Sequence, residues 1–315
     1  MKSLVSKIFI PISCLVTGVT SHLRSKPVEP ILKQGNCNVL SLSGGGAFGA
    51  VQMGILDGLV ATNQAPAIYD IITGISAGGL NAAFLSYYDN VTNALPDIQG
   101  ILSGLTNADI YQSDVLNILS EWSYYNTKPL QNTLSSIISS KSTLSNGPMT
   151  LIGASNLLTH HLDIWHYDDL ILQDKLSVLM ATSAIPLVFP PQKINGTIYV
   201  DGGVISNEMI NQAVGQLLCD SYSVYFISAS EHYSVPLPMP TGLWSYMGSI
   251  VDLLIGTFDY QLAQATNCTY PRGTLKACFP TASILANYSI LDFDNGAELY
   301  ALGRESFDCA DMNFC

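Results

Sequence analysis

Short apolar stretches that stop at glycine alternate along this chain with longer stretches in which apolar side chains recur every three or four positions. Val39–Leu42 is the first of the short kind and runs into Gly44, Gly45 and Gly46. Beyond it Val51, Ile55 and Leu59 fall four apart, so Ala47 to about Thr62 is predicted as a helix with one buried face. Tyr69–Thr73 reads as a second strand. The helix expected after it runs to about Tyr88, with Ala77, Gly78, Gly79, Ala82 and Ala83 small enough to pack closely on a sheet. Strand, helix and strand in that order imply a parallel pair joined by a right-handed crossover, and hence an α/β chain.

From Asn90 to Gly147 the composition turns to Ser, Thr, Asn and Leu, and the period is helical. Ile110, Val115, Leu116 and Leu119 mark one stripe, and Leu130, Leu134, Ile137 and Ile138 another, with Pro129 at a helix start. This segment, about 90–147, is expected to be a helical insertion. Thr150–Leu158 and Leu162–Trp165 read as strands, and Asn195-Gly196 as the turn of a hairpin between QKI and TIYV. A helix is expected to end at Pro186, leaving Ala181–Pro191 as a rigid apolar wall. Glu208–Leu218 should be helical and Ser223–Ala229 a strand. Leu243–Ala265 carries a long apolar helical pattern interrupted by Asp252 and Asp259 without any basic face. It reads as a helix buried across the sheet, with an interfacial helix as the alternative. There is no internal repeat.

Composition narrows the picture. The 315 residues, 48% hydrophobic and 11% charged, suit a well-buried core and exclude a disordered chain. A formal net charge of −12 argues against nucleic acid and against strong attraction to anionic membranes. Lys2 and Lys7 precede the apolar run Ile8–Val19, a pattern read as a signal peptide over residues 1–21, with an uncleaved anchor as the alternative. Residues 22–36, with Pro27 and Pro30, form an extended lead-in to a domain spanning 37–315. Cleavage would leave Cys37, Cys219, Cys268, Cys278, Cys309 and Cys315, enough for three disulfides in any of fifteen pairings. Four of the six fall in a C-terminal region, about 268–315, that is expected to depend on them. Sequons at Asn90, Asn195, Asn267 and Asn287 fit a secreted glycoprotein.

The candidate chemistry sits where strands end. Ser76, in Gly-Ile-Ser-Ala-Gly, lies at a strand-to-helix bend where Gly74 and Gly78 leave room for the backbone to approach itself. The bend lifts the hydroxyl to a helix N-terminus, where developing negative charge is favoured. Consecutive N–H groups of Gly44, Gly45 and Gly46 can line a nest for an anion. Asp201 ends a third strand and is followed by Gly202 and Gly203. His160, His161 and His166 lie near Asp163 and Asp168, but adjacent strand positions face opposite sides and no ligand spacing is present, so a metal site is rejected.

These motifs, SGGGAFG at 43–49 ending in Gly49, GISAG at 74–78, ATSAIPLVFPP at 181–191 and DGG at 201–203, resemble those of the patatin-like phospholipases, in the family's order and over about Cys37–Ser228. The resemblance implies a three-layer α/β/α fold with a central, mostly parallel sheet. It also implies a Ser76–Asp201 dyad, an oxyanion loop at Gly44–Gly46, no cofactor or metal, and acyl-lipid substrates met at a membrane or micelle surface. Ser43 and Phe48 depart from the family, in which many members carry Asp and Arg there, so an arginine contact to an anion is missing. Trp122, Tyr124 and Tyr125 are expected in the core, with an acyl-channel lining as the alternative. Two rival functions stay open: a histidine-dependent α/β-hydrolase using Ser76, Asp201 and His232, and a secreted storage or binding protein. No protein partner is inferable.

Overall fold

The computed structural model of the chain describes residues 21–23, 31–113, 120–141, 147–230, 273–281 and 283–313. In chain order the elements are β1 (Ser21–Leu23), β2 (Ile31–Leu42), α1 (Gly49–Ala61), β3 (Ile71–Ile75), α2 (Ala77–Leu85), α3 (Val91–Gly104) and α4 (Asn107–Ile110). Then come β4 (Gln112–Ser113), β5 (Tyr125–Asn126), α5 (Lys128–Ser139), β6 (Met149–Asn156), β7 (His161–His166), α6 (Leu172–Thr182), β8 (Gln192–Ile194) and β9 (Thr197–Asp201). The chain closes with α7 (Ile210–Gly215), β10 (Leu217–Ile227), β11 (Gly273–Pro280), α8 (Gly296–Glu305) and β12 (Phe307–Asn313).

One mixed sheet orders its strands β1-β7-β6-β3-β2-β10-β11-β12, with β9 on β6 and β8 on β9. The centre, β6-β3-β2-β10-β11, is parallel, as the strand-helix-strand reading required. Strand side chains alternate between two apolar layers. Leu40 and Leu42 of β2 join α1, α3 and α8, whereas Cys37 and Val39 meet α7 through Ile210 and Val214. Helices thus cover both faces of a mostly parallel sheet, the α/β/α arrangement expected.

Several local expectations change. The lead-in is not all outside the fold, since β2 already pairs with β10 from Ile31. Helix α1 is buried nearly all round rather than on one face, because α8 packs on its outer side. Gly54 and Gly303 permit that approach: a Cβ on either would lie 2.1 Å from a carbonyl oxygen of the other helix. Helix α6 ends at Thr182, four residues before Pro186, and the helix predicted over Glu208–Leu218 shrinks to Ile210–Gly215 because β10 claims Leu217 for the sheet. Tertiary pairing outweighs propensity there.

Residues 91–139 are mainly helical, but the short β4–β5 ladder interrupts them. Helix α5 starts with Pro129 in its first turn, and Leu130, Leu134 and Ile138 form its buried stripe. Each such side chain contributes about 2 kcal/mol on burial, which outweighs the weak helix propensity of its serines. Trp122 is not core: it is 63% exposed and held at φ 57°. His166 is buried in β7, and burial lowers its pKa. The Asn195-Gly196 hairpin forms as expected, both residues at positive φ.

Disulfides join Cys37 to Cys219, across neighbouring β2 and β10, and Cys278 to Cys309, across β11 and β12. The second clips the C-terminal region to the sheet. All but Ser21 of the signal segment predicted over residues 1–21, the 115–119 part of the first stripe, the Leu243–Ala265 pattern, His232, Asn267, Cys268 and Cys315 lie outside the described residues. Among the described residues, no helix is long and apolar enough to cross a membrane.

Candidate active site

Strand pairing sets the geometry. β6 uses Met149–Gly153 to pair with β3 in parallel and Ala154–Asn156 to pair with β9 antiparallel. Because β3 and β9 run toward each other along the same edge of β6, their carboxyl ends meet. Ile75 lies opposite Gly153, and Asp201 lies opposite the next residue, Ala154. The acid, read from sequence at a strand end, arrives from an antiparallel strand, head-on.

Ser76 stands between β3 and α2 with φ 53° and ψ −126°, a strained conformation for a residue with a side chain. Its N–H donates to Thr182 Oγ1 at 2.9 Å, and Thr182 Oγ1 donates to the Gly153 carbonyl at 2.6 Å. The glycines around it are steric necessities. A Cβ on Gly74 would lie 2.1 Å from the Gly78 oxygen, and one on Gly78 would lie 2.4 Å from the carbonyls of Leu42 and Ser43. At Gly202 a Cβ would come within 2.8 Å of the Gly153 oxygen, and Gly49 is limited by Ala77 at 3.0 Å.

Asp201 is 5% exposed. Its Oδ1 accepts the Gly203 N–H at 2.9 Å, while Oδ2 is buried with no partner that meets hydrogen-bond geometry among the described residues. Burial pushes its pKa up to about 7, against the Ser76 hydroxyl and the Gly203 N–H, which both lower it.

The glycine loop is pinned from behind. Gln52 Nε2 donates to the carbonyls of Ser43 (3.0 Å) and Ile227 (2.8 Å), and Asn81 Nδ2 donates to Gln52 Oε1 and to the Gly49 carbonyl, each at 3.0 Å. Ser43, where the family often has Asp, accepts the Ala229 N–H on Oγ at 2.9 Å. Phe48, in place of Arg, is buried in the core. Gly46 takes φ 57° with no room for a side chain, since its Cβ would lie 2.1 Å from the Ile290 oxygen.

One expectation for this loop changes. The Gly44 N–H donates to Asn207 Oδ1 at 2.8 Å and is not free for an oxyanion, whereas the N–H groups of Gly45 and Gly46 have no partner among the described residues. Gln52, Asn81, Thr182 and Asn207 were missed from sequence. All four are buried polar residues at helix or loop positions, and burial marks them; Thr182 alone also falls within a quoted motif, at 181–191.

Ser76 opens on a cleft enclosing about 980 Å³ of empty space, its mouth included. Phe84, Ile98, Leu134, Ile138, Ile185 and Phe189 are among its walls, and no histidine is among the described residues that line it. Ile185 and Phe189 come from the segment expected to form an apolar wall. Trp122, Tyr124 and Tyr125 do not line the cleft; aliphatic side chains of the 91–139 helices do so instead. Among the described residues no cluster of His, Cys, Asp or Glu could hold a metal. Of the sequons, Asn195 sits at the exposed hairpin tip, Asn287 is exposed, and Asn90 caps α3 by accepting the Asn93 N–H at 3.0 Å.

A family model described as patatin-like phospholipase matches residues 40–214. A probable lipid hydrolase, 463L, of Invertebrate iridescent virus 6 is 27% identical over 205 residues, which is 60% of this chain and 67% of the viral protein. Two solved structures align at 14% identity. VipD of Legionella pneumophila has a TM-score of 0.39 over 87% of this chain and 68% of its own. The ExoU–SpcU complex of the Pseudomonas aeruginosa type III secretion system has a TM-score of 0.30 over 90% and 54%.

Proposed function

The chain belongs to the patatin-like phospholipase family, whose model matches more than half of it, and on that premise we propose that it hydrolyses carboxylic esters of acyl lipids with Ser76 and Asp201. The observation that carries this reading is the head-on meeting of β3 and β9 beside an apolar cleft that Ser76 helps to line. Asp201 takes the Ser76 proton as Oγ attacks the acyl carbon. The oxyanion that forms is met by the Gly45 and Gly46 N–H groups and by the N-terminus of α2. Collapse expels the alcohol, which takes the proton back from Asp201. A water then gives its proton to the same carboxylate and attacks the acyl-enzyme, releasing the fatty acid and restoring Ser76.

The cleft walls favour an unsubstituted hydrocarbon chain, since Ser76, Asn81, Thr133 and Ser183 are the few polar side chains along them. Approach to a lipid-water interface is supported by Trp122 and Leu187, which are 63% and 65% exposed. Backbone pairing of Ser123 with Leu187 brings the two together, and Leu187 stands two residues from Ile185 and Phe189 of the cleft. A secretory route is supported by the two disulfides and by the exposed sequons at Asn195 and Asn287. The domain of this proposal takes in β2 from Ile31 and, on the edge beside β7, β1 at Ser21–Leu23.

Treatment with a fluorophosphonate ester, followed by peptide mapping, tests the reading. Modification is expected on Ser76 and absent from Ser76→Ala, which should also release no fatty acid from a mixed lipid extract. An unmodified Ser76 would favour the storage or binding reading. Loss of activity in a folded His232→Ala protein would favour the triad.

A further inference from the structure

The loop after Asp201 returns to the site at Asn207, which is 1% exposed and beyond the reach of the motif that ends at Gly203. Asn207 Oδ1 accepts the Gly44 N–H at 2.8 Å, and Nδ2 faces the Gly44 carbonyl at 3.4 Å. One amide side chain thus serves both backbone groups of one residue in the glycine loop. It also closes a ring of contacts. A Cβ on Gly44 would lie 2.7 Å from Asn207 Oδ1 and 2.8 Å from Ser76 Cβ, and a Cβ on Gly203 would lie 3.3 Å from Asn207 Oδ1 and 3.2 Å from Asp201 Oδ1. Nucleophile, glycine loop, asparagine and acid therefore touch in sequence, with glycine wherever two of them meet.

We propose that Asn207 is a positioning residue: by holding Gly44 turned away from the cleft, it leaves Gly45 and Gly46 as the oxyanion donors and fixes their spacing from Ser76 and Asp201. The inference rests on the acyl-hydrolase reading above. The residue type follows from chemistry. An asparagine amide accepts from an N–H and donates toward a carbonyl, whereas a leucine of similar shape leaves the Gly44 N–H buried and unpaired and its carbonyl with only the Ser43 hydroxyl. An aspartate accepts but cannot donate, and it sets a second carboxylate close to Asp201. The other carboxyl of this loop, Glu208, accepts the Ile210 N–H instead.

Kinetics of Asn207→Ala, Asn207→Asp and Ser76→Ala on a soluble short-chain ester, with pH profiles and melting curves, test this. Asn207→Ala is expected to lower kcat about 100-fold with KM within about threefold, the size of effect seen when oxyanion donors are lost. Asn207→Asp keeps the acceptor for Gly44, so at least about tenfold of that loss should return. Its acid limb should move up by about one pH unit, because like charge raises the pKa of Asp201. A general structural role would lower melting temperature without moving that limb.

Asn207→Ala within threefold of wild-type kcat overturns the inference. If that variant does not fold, Asn207→Asp decides: restored turnover with a shifted limb supports the inference, and an unshifted limb overturns it. An active Ser76→Ala protein would instead overturn the acyl-hydrolase reading itself.

Discussion

Replacing Asp201 by Asn should destroy activity and stabilise the protein, by an amount that depends on pH in a calculable way. The carboxyl titrates at about 7 in the folded chain against an ordinary 3.8, because burial disfavours its charged form. Between those values the folded state holds a proton that the unfolded state has released, so wild-type stability falls as pH rises through that window. Each unit is worth about 1.4 kcal/mol, and the full gap of about three units about 4 kcal/mol. A sequence pI of about 4.5 makes pH 5 a practical lower limit. From pH 5 to pH 8 the accessible part is about 3 kcal/mol. Asparagine has no charge to bury. Any cost of its extra N–H groups is the same at both pH values, and the Glu208 shift is common to both proteins. The measurement is urea unfolding of wild type and Asp201→Asn, disulfides intact, at pH 5 and pH 8. The advantage of the variant should grow by about 3 kcal/mol between them, while the acid limb of wild-type kcat/KM falls near pH 7. A stability difference that does not change with pH, or that changes in the opposite sense, would refute the account of Asp201 as a buried base.

Three further outcomes are expected. Thr182→Val leaves the Ser76 N–H and the Gly153 carbonyl without their shared hydroxyl, so it should cost about 1–3 kcal/mol in urea unfolding and lower kcat more than KM. Leu134→Trp fills the part of the cleft formed by α5, so product analysis on esters of graded length should show turnover shifting to shorter chains. The Trp122→Ser and Leu187→Ser pair, both exposed, should weaken hydrolysis of zwitterionic vesicles about tenfold or more and leave a soluble short-chain ester within twofold.

Much of this protein was already legible in local pattern. The glycine loop after β2, the serine at the β3–α2 bend, the β8–β9 hairpin and the central parallel strands all announce themselves over a few consecutive residues. There the backbone's demand for small or β-forming side chains acts within one turn or one strand. Other features were decided only where distant segments met. That β9 meets β3 head-on depends on β6 changing partners between Gly153 and Ala154, which no local period encodes. The pairing of Cys37 with Cys219 follows from β2 lying beside β10, and the burial of α1 on all sides follows from α8, more than two hundred residues away. Asn207 looks like an ordinary loop asparagine until Gly44 comes within 2.8 Å of it. Sequence determined which chain positions could carry a nucleophile, an acid and an anion nest, because those needs are local. Tertiary structure decided which amide is spent on holding the loop and what walls the cleft has, because hydrogen bonds and apolar contacts are made by whichever groups the folded sheet brings together.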